Sequence, residues 1–298
     1  MASGGWVLAT LLAACAQTLR NAMQRDLIGA LGAVGAAQVR FLFGLPFAIL
    51  FFLGLLAATG LAAPPLTLAS LGWTAFGAVA QVIATAMMLA AMRTRSFVVA
   101  VAYTKTEPAQ IALFGLVALG DAPALPLVAA IALAMTGVAL MSVKSREDLA
   151  GDWRSAALGL SSATFFACAA IGFRSAVIGV DSPSRALAAS LILVAALAIQ
   201  SATLALYLGL FDRHGARAII AAWRSSLIAG FMGALASQFW FLAFGLTDAA
   251  RVRTLALIET PMALIVSMRL FREPPTLREI FGMTLILAAA AILVWAGG

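Results

Sequence analysis

Long apolar runs separated by short polar stretches make up most of this chain, and the runs are apolar on every face rather than on one. A bilayer core about 30 Å thick takes roughly 20 residues of helix at ~1.5 Å rise. Runs of that length, bounded by charges or by Pro/Gly punctuation, fall at 4–24, 31–58, 66–92, 96–120, 124–143, 155–178, 185–209, 219–246, 252–271 and 277–296. The pattern predicts an all-α polytopic membrane protein of ten transmembrane helices. Barrel strands would alternate apolar and polar residues, and these runs do not. The first run reads as a span rather than a cleaved leader, because no basic stretch precedes it and nine similar segments follow. The connections are too short for a separate soluble domain.

Composition agrees. The chain is 63% hydrophobic and 10% charged over 298 residues, with a mean hydropathy of +1.05. Soluble domains carry about 25% charge, and disordered chains are poor in apolar residues, so both classes are excluded. The net charge of +7 comes from 19 basic and 12 acidic residues. The arginines are scattered between apolar blocks, without a basic cluster interleaved with aromatics. That points to anionic lipid headgroups rather than nucleic acid. Cys15 and Cys168 lack metal-ligand spacing. The chain contains no P-loop, GxGxxG, HExxH or GxSxG signature, so it reads as no enzyme, with no cofactor and no metal. His214, in the Asp212-Arg213-His214 loop, reads as a solvated residue. Without a Walker motif, uphill transport would draw on an ion gradient or the membrane potential.

The longest hydrophilic stretch, Lys144 to Asp152, lies at mid-chain and divides the sequence into 1–143, a linker 144–154, and 155–298. A shift of 152 residues superposes Glu107 on Glu259, Asp121 on Glu273 and Pro123 on Pro275. Five spans per half would give the halves opposite orientations, the inverted-repeat plan of secondary transporters. Connections after odd-numbered spans hold thirteen basic residues and those after even-numbered spans four, namely Arg174, Arg185, Arg251 and Arg253. By the positive-inside rule this bias places both termini outside.

Charges at bilayer depth cost about 2.5–3.5 kcal/mol each on insertion scales, so each needs a reason. Lys105 and Glu107 fall near the centre of the fourth span and Glu259 near the centre of the ninth. On a regular helix the first two stand about 200° apart and cannot share a face. The sequence therefore predicts that Lys105 pairs with Glu259 or another acceptor on a different helix, while Glu107 faces Tyr103 and Gln110. Two roles stay open for these residues: a substrate- or proton-binding cavity, or an ion pair that holds the bundle together. Pro108 and Pro261 interrupt the same two spans, as hinges or as static kinks. Gln17, Arg20, Asn21 and Gln24 form one face of the first span. Ser161, Thr164, Phe165 and Cys168 take the same spacing in the sixth. With Gln81 of the third span and Gln238 and Trp240 of the eighth, these are candidates to line a cavity or to join helices. Trp6, Trp73, Trp153, Trp223 and Trp295 read as interface-belt residues.

The Val39-Arg40-Phe41-Leu42 run and the Leu119-Gly120-Asp121 exit after a span with a central proline resemble the EamA-type drug/metabolite transporter superfamily. Within it they look like the aromatic amino-acid exporters of YddG type. Phe271-Arg272-Glu273 fills the second copy of the exit, whereas Cys15-Ala16-Gln17-Thr18 departs from the Trp-Gly pair frequent in the first helix. The resemblance implies an inner-membrane carrier with spans 1, 3, 4, 6, 8 and 9 around a central cavity. It also implies cytoplasmic termini, against the charge bias. The expected function is export of amino acids or similar zwitterionic metabolites by alternating access, with Gln17, Asn21, Gln81, Tyr103, Lys105, Glu107, Phe165, Gln238, Trp240 and Glu259 as substrate residues. The expected partners are that small molecule and the lipid bilayer, for a chain acting as a monomer. An organic-phosphate or nucleotide-sugar carrier is the alternative and would need paired cations deep in the cavity. A membrane enzyme acting on lipid-linked substrates would need a cluster of Asp or His that the chain lacks.

Overall fold

A computed structural model describes residues 4–94, 103–119, 123–142, 153–262, 264–265 and 276–296, with the side chains of 21–34 and a few others left out. Every element among the described residues is helical. The helices are α1 (Gly5–Leu42), α2 (Leu45–Thr59), α3 (Leu68–Thr94), α4 (Glu107–Leu119), α5 (Leu125–Ser142), α6 (Trp153–Ile178), α7 (Arg185–Phe211), α8 (Arg213–Ala221), α9 (Trp223–Leu246), α10 (Ala249–Leu255) and α11 (Leu277–Ala296). A 3₁₀ turn over Ala256–Ile258 follows α10.

Seven helical stretches among the described residues are long and apolar enough to cross a membrane. They carry large exposed apolar side chains, among them Leu50, Leu125, Leu206, Phe211 and Ile228. In water such faces would be aggregation sites, whereas lipid tails cover them at no cost. Trp73, Trp153, Trp223 and Trp295 are exposed, as an interface belt requires. Trp6 is not: it is buried in the packed interior and its carbonyl accepts from Thr10 Oγ1, which corrects the belt assignment.

Local chemistry sets the helix ends. Pro46 has no N–H to give to the carbonyl of Leu42 and its ring would clash there, so α1 stops and α2 starts with proline in its first turn. Gly60 closes α2 at φ +66°, donating its N–H to Leu56 O. Ser184 caps α7, and Thr276 with Glu279 forms a reciprocal capping box at α11. The run predicted as one span over 219–246 is divided at Ala222 into α8, which carries Arg213 and Arg217, and α9.

Helix α1 is not straight. A Cβ built on Gly233 would lie 3.5 Å from Arg20 Cδ and 3.1 Å from Arg40 Cγ. Those side chains reach a common point only if their Cα atoms are within about 15 Å. Twenty residues of straight helix would separate them by about 30 Å. The backbone therefore turns back between Arg20 and Arg40, in the interval that the sequence allots to the connection between its first two spans.

The chain forms two compact units. The first comprises Met1–Leu11, Ile83–Cys168 and Thr247–Gly298, and the second comprises Leu12–Val82 and Ala169–Leu246. In the first, α5 and α11 pack along small residues. A Cβ on Gly137 would stand 2.5 Å from Gly282 O, and one on Gly282 2.7 Å from Gly137 O, so both positions need glycine for that approach. Ala130, Ala134 and Met141 on one helix and Ile286, Ala289 and Leu293 on the other complete the buried seam. In the second unit, α7 packs against α2, α8 and α9. A Cβ on Gly172 of α6 would meet the backbone of Gly77 of α3 at 3.0 Å.

Candidate functional site

The fourth and ninth predicted spans are both interrupted. Pro108 would clash with the carbonyl of residue 104, and Pro261 with that of residue 257, one turn earlier in each case. The backbone yields at those places: residues 105–106 form a turn before α4, and Ala256–Ile258 tighten to 3₁₀ before a short helical run over 259–262. The Tyr103 carbonyl accepts from both Thr106 N (3.1 Å) and Thr106 Oγ1 (2.7 Å), and Thr106 O accepts from Ala109 N and Gln110 N. Each break is followed at once by a buried glutamate.

Two ion pairs join these segments in the first unit. Arg253 of α10 grips Glu107 with both ends of its guanidinium, Nε to Oε1 at 2.6 Å and Nη2 to Oε2 at 2.7 Å. Lys105 Nζ lies 3.4 Å from Glu259 Oε2. The pairing is crossed, since each segment supplies one cation and one carboxylate and takes its partners from the other. The two pairs differ in quality. The Arg253–Glu107 side chains are 20% and 8% exposed, and the planar fork matches the carboxylate. The Lys105–Glu259 pair is longer, and its lysine is 27% exposed. Behind Glu107, Gln110 Nε2 donates to Thr106 Oγ1 and to the Leu160 carbonyl, and Gln110 Oε1 accepts from Thr164 Oγ1 at 2.7 Å.

The expected Lys105–Glu259 pair is therefore present. The expected place for Glu107 is not: it turns to Arg253, while Gln110 is engaged with Thr106 and Thr164. The angular argument assumed a regular helix, and the turn at residues 105–106 removes that premise, so both charges reach the 249–262 segment. Arg253 was missed because Asp248 and Arg251 beside it make the stretch look like a polar loop. Arg251 does pair with Asp248, at 3.5 Å. The available signal was the need of a buried carboxylate for a cation.

The remaining candidates fall in both units. Phe165 lies in the first, half-buried on α6. In the second, Trp240 Nε1 donates to Gln17 Oε1 at 3.1 Å, joining two of the expected residues. Gln81 Oε1 accepts from Gln200 Nε2 at 2.6 Å, a partner that sequence reading did not single out. Gln238 is buried, and its Oε1 has no hydrogen bond among the described residues. Asn21 lies on α1 with its side chain left out, and Asp121, Glu273 and Pro275 of the repeat match lie outside the described residues altogether. Arg174, expected in a connection, donates from Nη1 to Phe244 O at 2.8 Å and so caps the C-terminal turn of α9.

No family model matches the chain, and no curated protein matches it. Solved structures do. A crystal structure described only as that of a protein is similar over 99% of this chain and 98% of its own, with a TM-score of 0.68 at 14% identity. The fold is a known one. At that identity the likeness carries architecture and nothing about activity.

Proposed function

We propose that this chain is a secondary transporter that exports amino acids or similar small zwitterions across the inner membrane. In this reading it is an EamA-type carrier of ten spans, in which inverted halves 1–143 and 155–298 alternate access. The observation that carries the reading is the crossed charge quartet on two broken segments of an otherwise apolar chain. Interrupted helices with charges at the break are where transporters bind substrate, because irregular backbone in a bilayer must line a cavity or be buried in protein. The recurrence of a break and a glutamate at a spacing of 152 residues, with Pro108 and Pro261 beside them 153 apart, supports the repeat.

The asymmetry of the pairs suggests how a zwitterion is read. The bidentate Arg253–Glu107 pair acts as a fixed brace. The longer Lys105–Glu259 pair is the one that opens: a substrate carboxylate takes Lys105 and its ammonium takes Glu259. Two charges leave each other and two arrive, so the loaded and empty sites have the same net charge and little is spent on desolvating an uncompensated ion. An amine or a carboxylate alone would leave one member of the pair unmatched.

Purified protein in liposomes tests this. Labelled amino acids should be transported, and analogues lacking either the amino or the carboxyl group should not compete. Lys105→Met and Glu259→Gln should each abolish uptake without loss of folded protein. Transport of a phosphorylated metabolite with no movement of any amino acid would refute the reading.

A further inference from the structure

The connection between α7 and α9, in the second unit, carries a short helix with no part in the charge quartet. Two anchors hold this helix, α8, in place. Asp212 caps it, its Oδ1 accepting from Gly215 N at 2.8 Å. Ile219, 1% exposed, packs with Val39, Leu208 and Ala229. Arg213, Arg217 and Ile220 follow the i, i+4, i+7 spacing of one helix face, and all three are exposed. Just beyond α8, the exposed Arg224 stacks 5.3 Å from the ring of Trp223, which is exposed as well. Just before it, Tyr207 and Phe211 are exposed with their rings 5.3 Å apart. Tyr and Trp concentrate where hydrocarbon gives way to headgroups. With Tyr207 on one side and Trp223 on the other, α8 is bracketed by residues of that boundary.

We infer that the exposed face of α8, together with Arg224, docks the headgroups of anionic phospholipids. The arginines meet the phosphodiesters, while Phe211, Ile220 and Trp223 enter the acyl boundary, the division of labour of an interfacial helix. Charge selects the lipid. Residues 207–226 hold three arginines and one acid, Asp212, whose carboxylate is engaged at the N-terminus of α8. A zwitterionic headgroup brings no net charge to such a surface, whereas an anionic leaflet gains about fivefold in affinity for each arginine near it. Guanidinium forks also match the paired oxygens of a phosphodiester. Two of the three are already oriented. Arg213 donates from Nε to Gly209 O at 3.1 Å, which leaves its terminal amino groups for a phosphate, and the Trp223 ring supports Arg224. Because Ile219 fixes α8 against the interior, the fold presents this surface ready-made. The site depends on the chain lying in a membrane and not on what the chain transports.

Lipid titration of the full chain provides the test. Delipidated protein in a neutral maltoside detergent would be heated in increasing phosphatidylglycerol or phosphatidylcholine. Phosphatidylglycerol should give a saturable rise in Tm, and phosphatidylcholine and inorganic phosphate should give none. Arg213→Gln and Arg217→Gln should each raise the half-saturating lipid concentration about fivefold. The triple variant that adds Arg224→Gln should lose the rise. All three side chains are exposed, so these variants should fold. Should the triple variant fail to fold, lysine at the same three positions keeps the charge without the fork and should show a rise that needs more lipid. Arg278→Gln, at an exposed arginine of α11, should respond as the unaltered chain does. An equal response to phosphatidylcholine or to inorganic phosphate, a rise that survives in the triple variant, or no rise at all overturns the site.

Discussion

Replacing Arg253 by methionine probes the claim that one ion pair braces the first unit while the other opens. Glu107, 8% exposed, would lose both hydrogen bonds from its guanidinium. Removing one partner of a buried pair costs about 3–5 kcal/mol, because the remaining charge is uncompensated. Lys105→Met removes a single contact at 3.4 Å from a lysine that is 27% exposed and leaves Glu259, 10% exposed, in the field of the retained Arg253, so its cost lies nearer the exposed-pair value of about 1 kcal/mol. The difference of roughly 2–4 kcal/mol corresponds to about 5–10 °C in a chain of this size. Unfolding in detergent is irreversible, so the comparison is of apparent midpoints at one heating rate, read as the monodisperse fraction remaining after heating. Glu107→Gln combined with Arg253→Met should recover most of the loss, because neither partner then remains as a lone charge. The order of effects on transport should invert, with Lys105→Met inactive although folded. If Lys105→Met destabilises the protein as much as Arg253→Met, the division into brace and gate is wrong.

Other expectations follow from the packing. Gly137→Val should cost about 1–3 kcal/mol or more and lower the yield of folded protein, since its Cβ would collide with Gly282 O and Ile286 Cγ1. Leucine at both Gln81 and Gln200 should be tolerated better than either single change. The coupling read from the thermal midpoints of that cycle should be near 0.6–1.7 kcal/mol, and a value of zero would show that their 2.6 Å contact contributes nothing.

Much of this fold is legible in the sequence because hydrophobicity over 20 residues is a strong local signal: α3, α5, α6, α7 and α11 lie within a few residues of their predicted spans. Position along the chain was easier to read than direction. Nothing local distinguishes the division at Ala222, since the apolar run Ile219-Ile220-Ala221-Ala222-Trp223 continues across it and only the arginines of α8 mark the change. Lys105 and Glu259 were readable as partners because each is expensive in lipid and each is near the centre of its span. Arg253 was not, because its role depends on a break at residues 105–106 that turns Glu107 toward it. Pro108 announced such a break, but its effect on the direction of the preceding side chains is a tertiary matter. Gln200 was hidden for a similar reason: a single amide in an apolar run shows its purpose only beside Gln81.

The crossed pairing also has a history in time. Glu107 precedes Arg253 by 146 residues, and Lys105 precedes Glu259 by 154. A ribosome adding about 5–20 residues per second needs between about 7 and 30 s to cover the first interval. During that wait the segment around α4 has left the ribosome with its lysine and glutamate, and the residues that neutralise them do not yet exist. Lipid is a poor place to hold such a segment, so its insertion either waits in the translocation machinery or is completed only when the 249–262 segment arrives. A chain halted short of residue 249 carries a carboxylate whose cation has never been made, and the quality-control proteases of the membrane receive a molecule marked as unfinished.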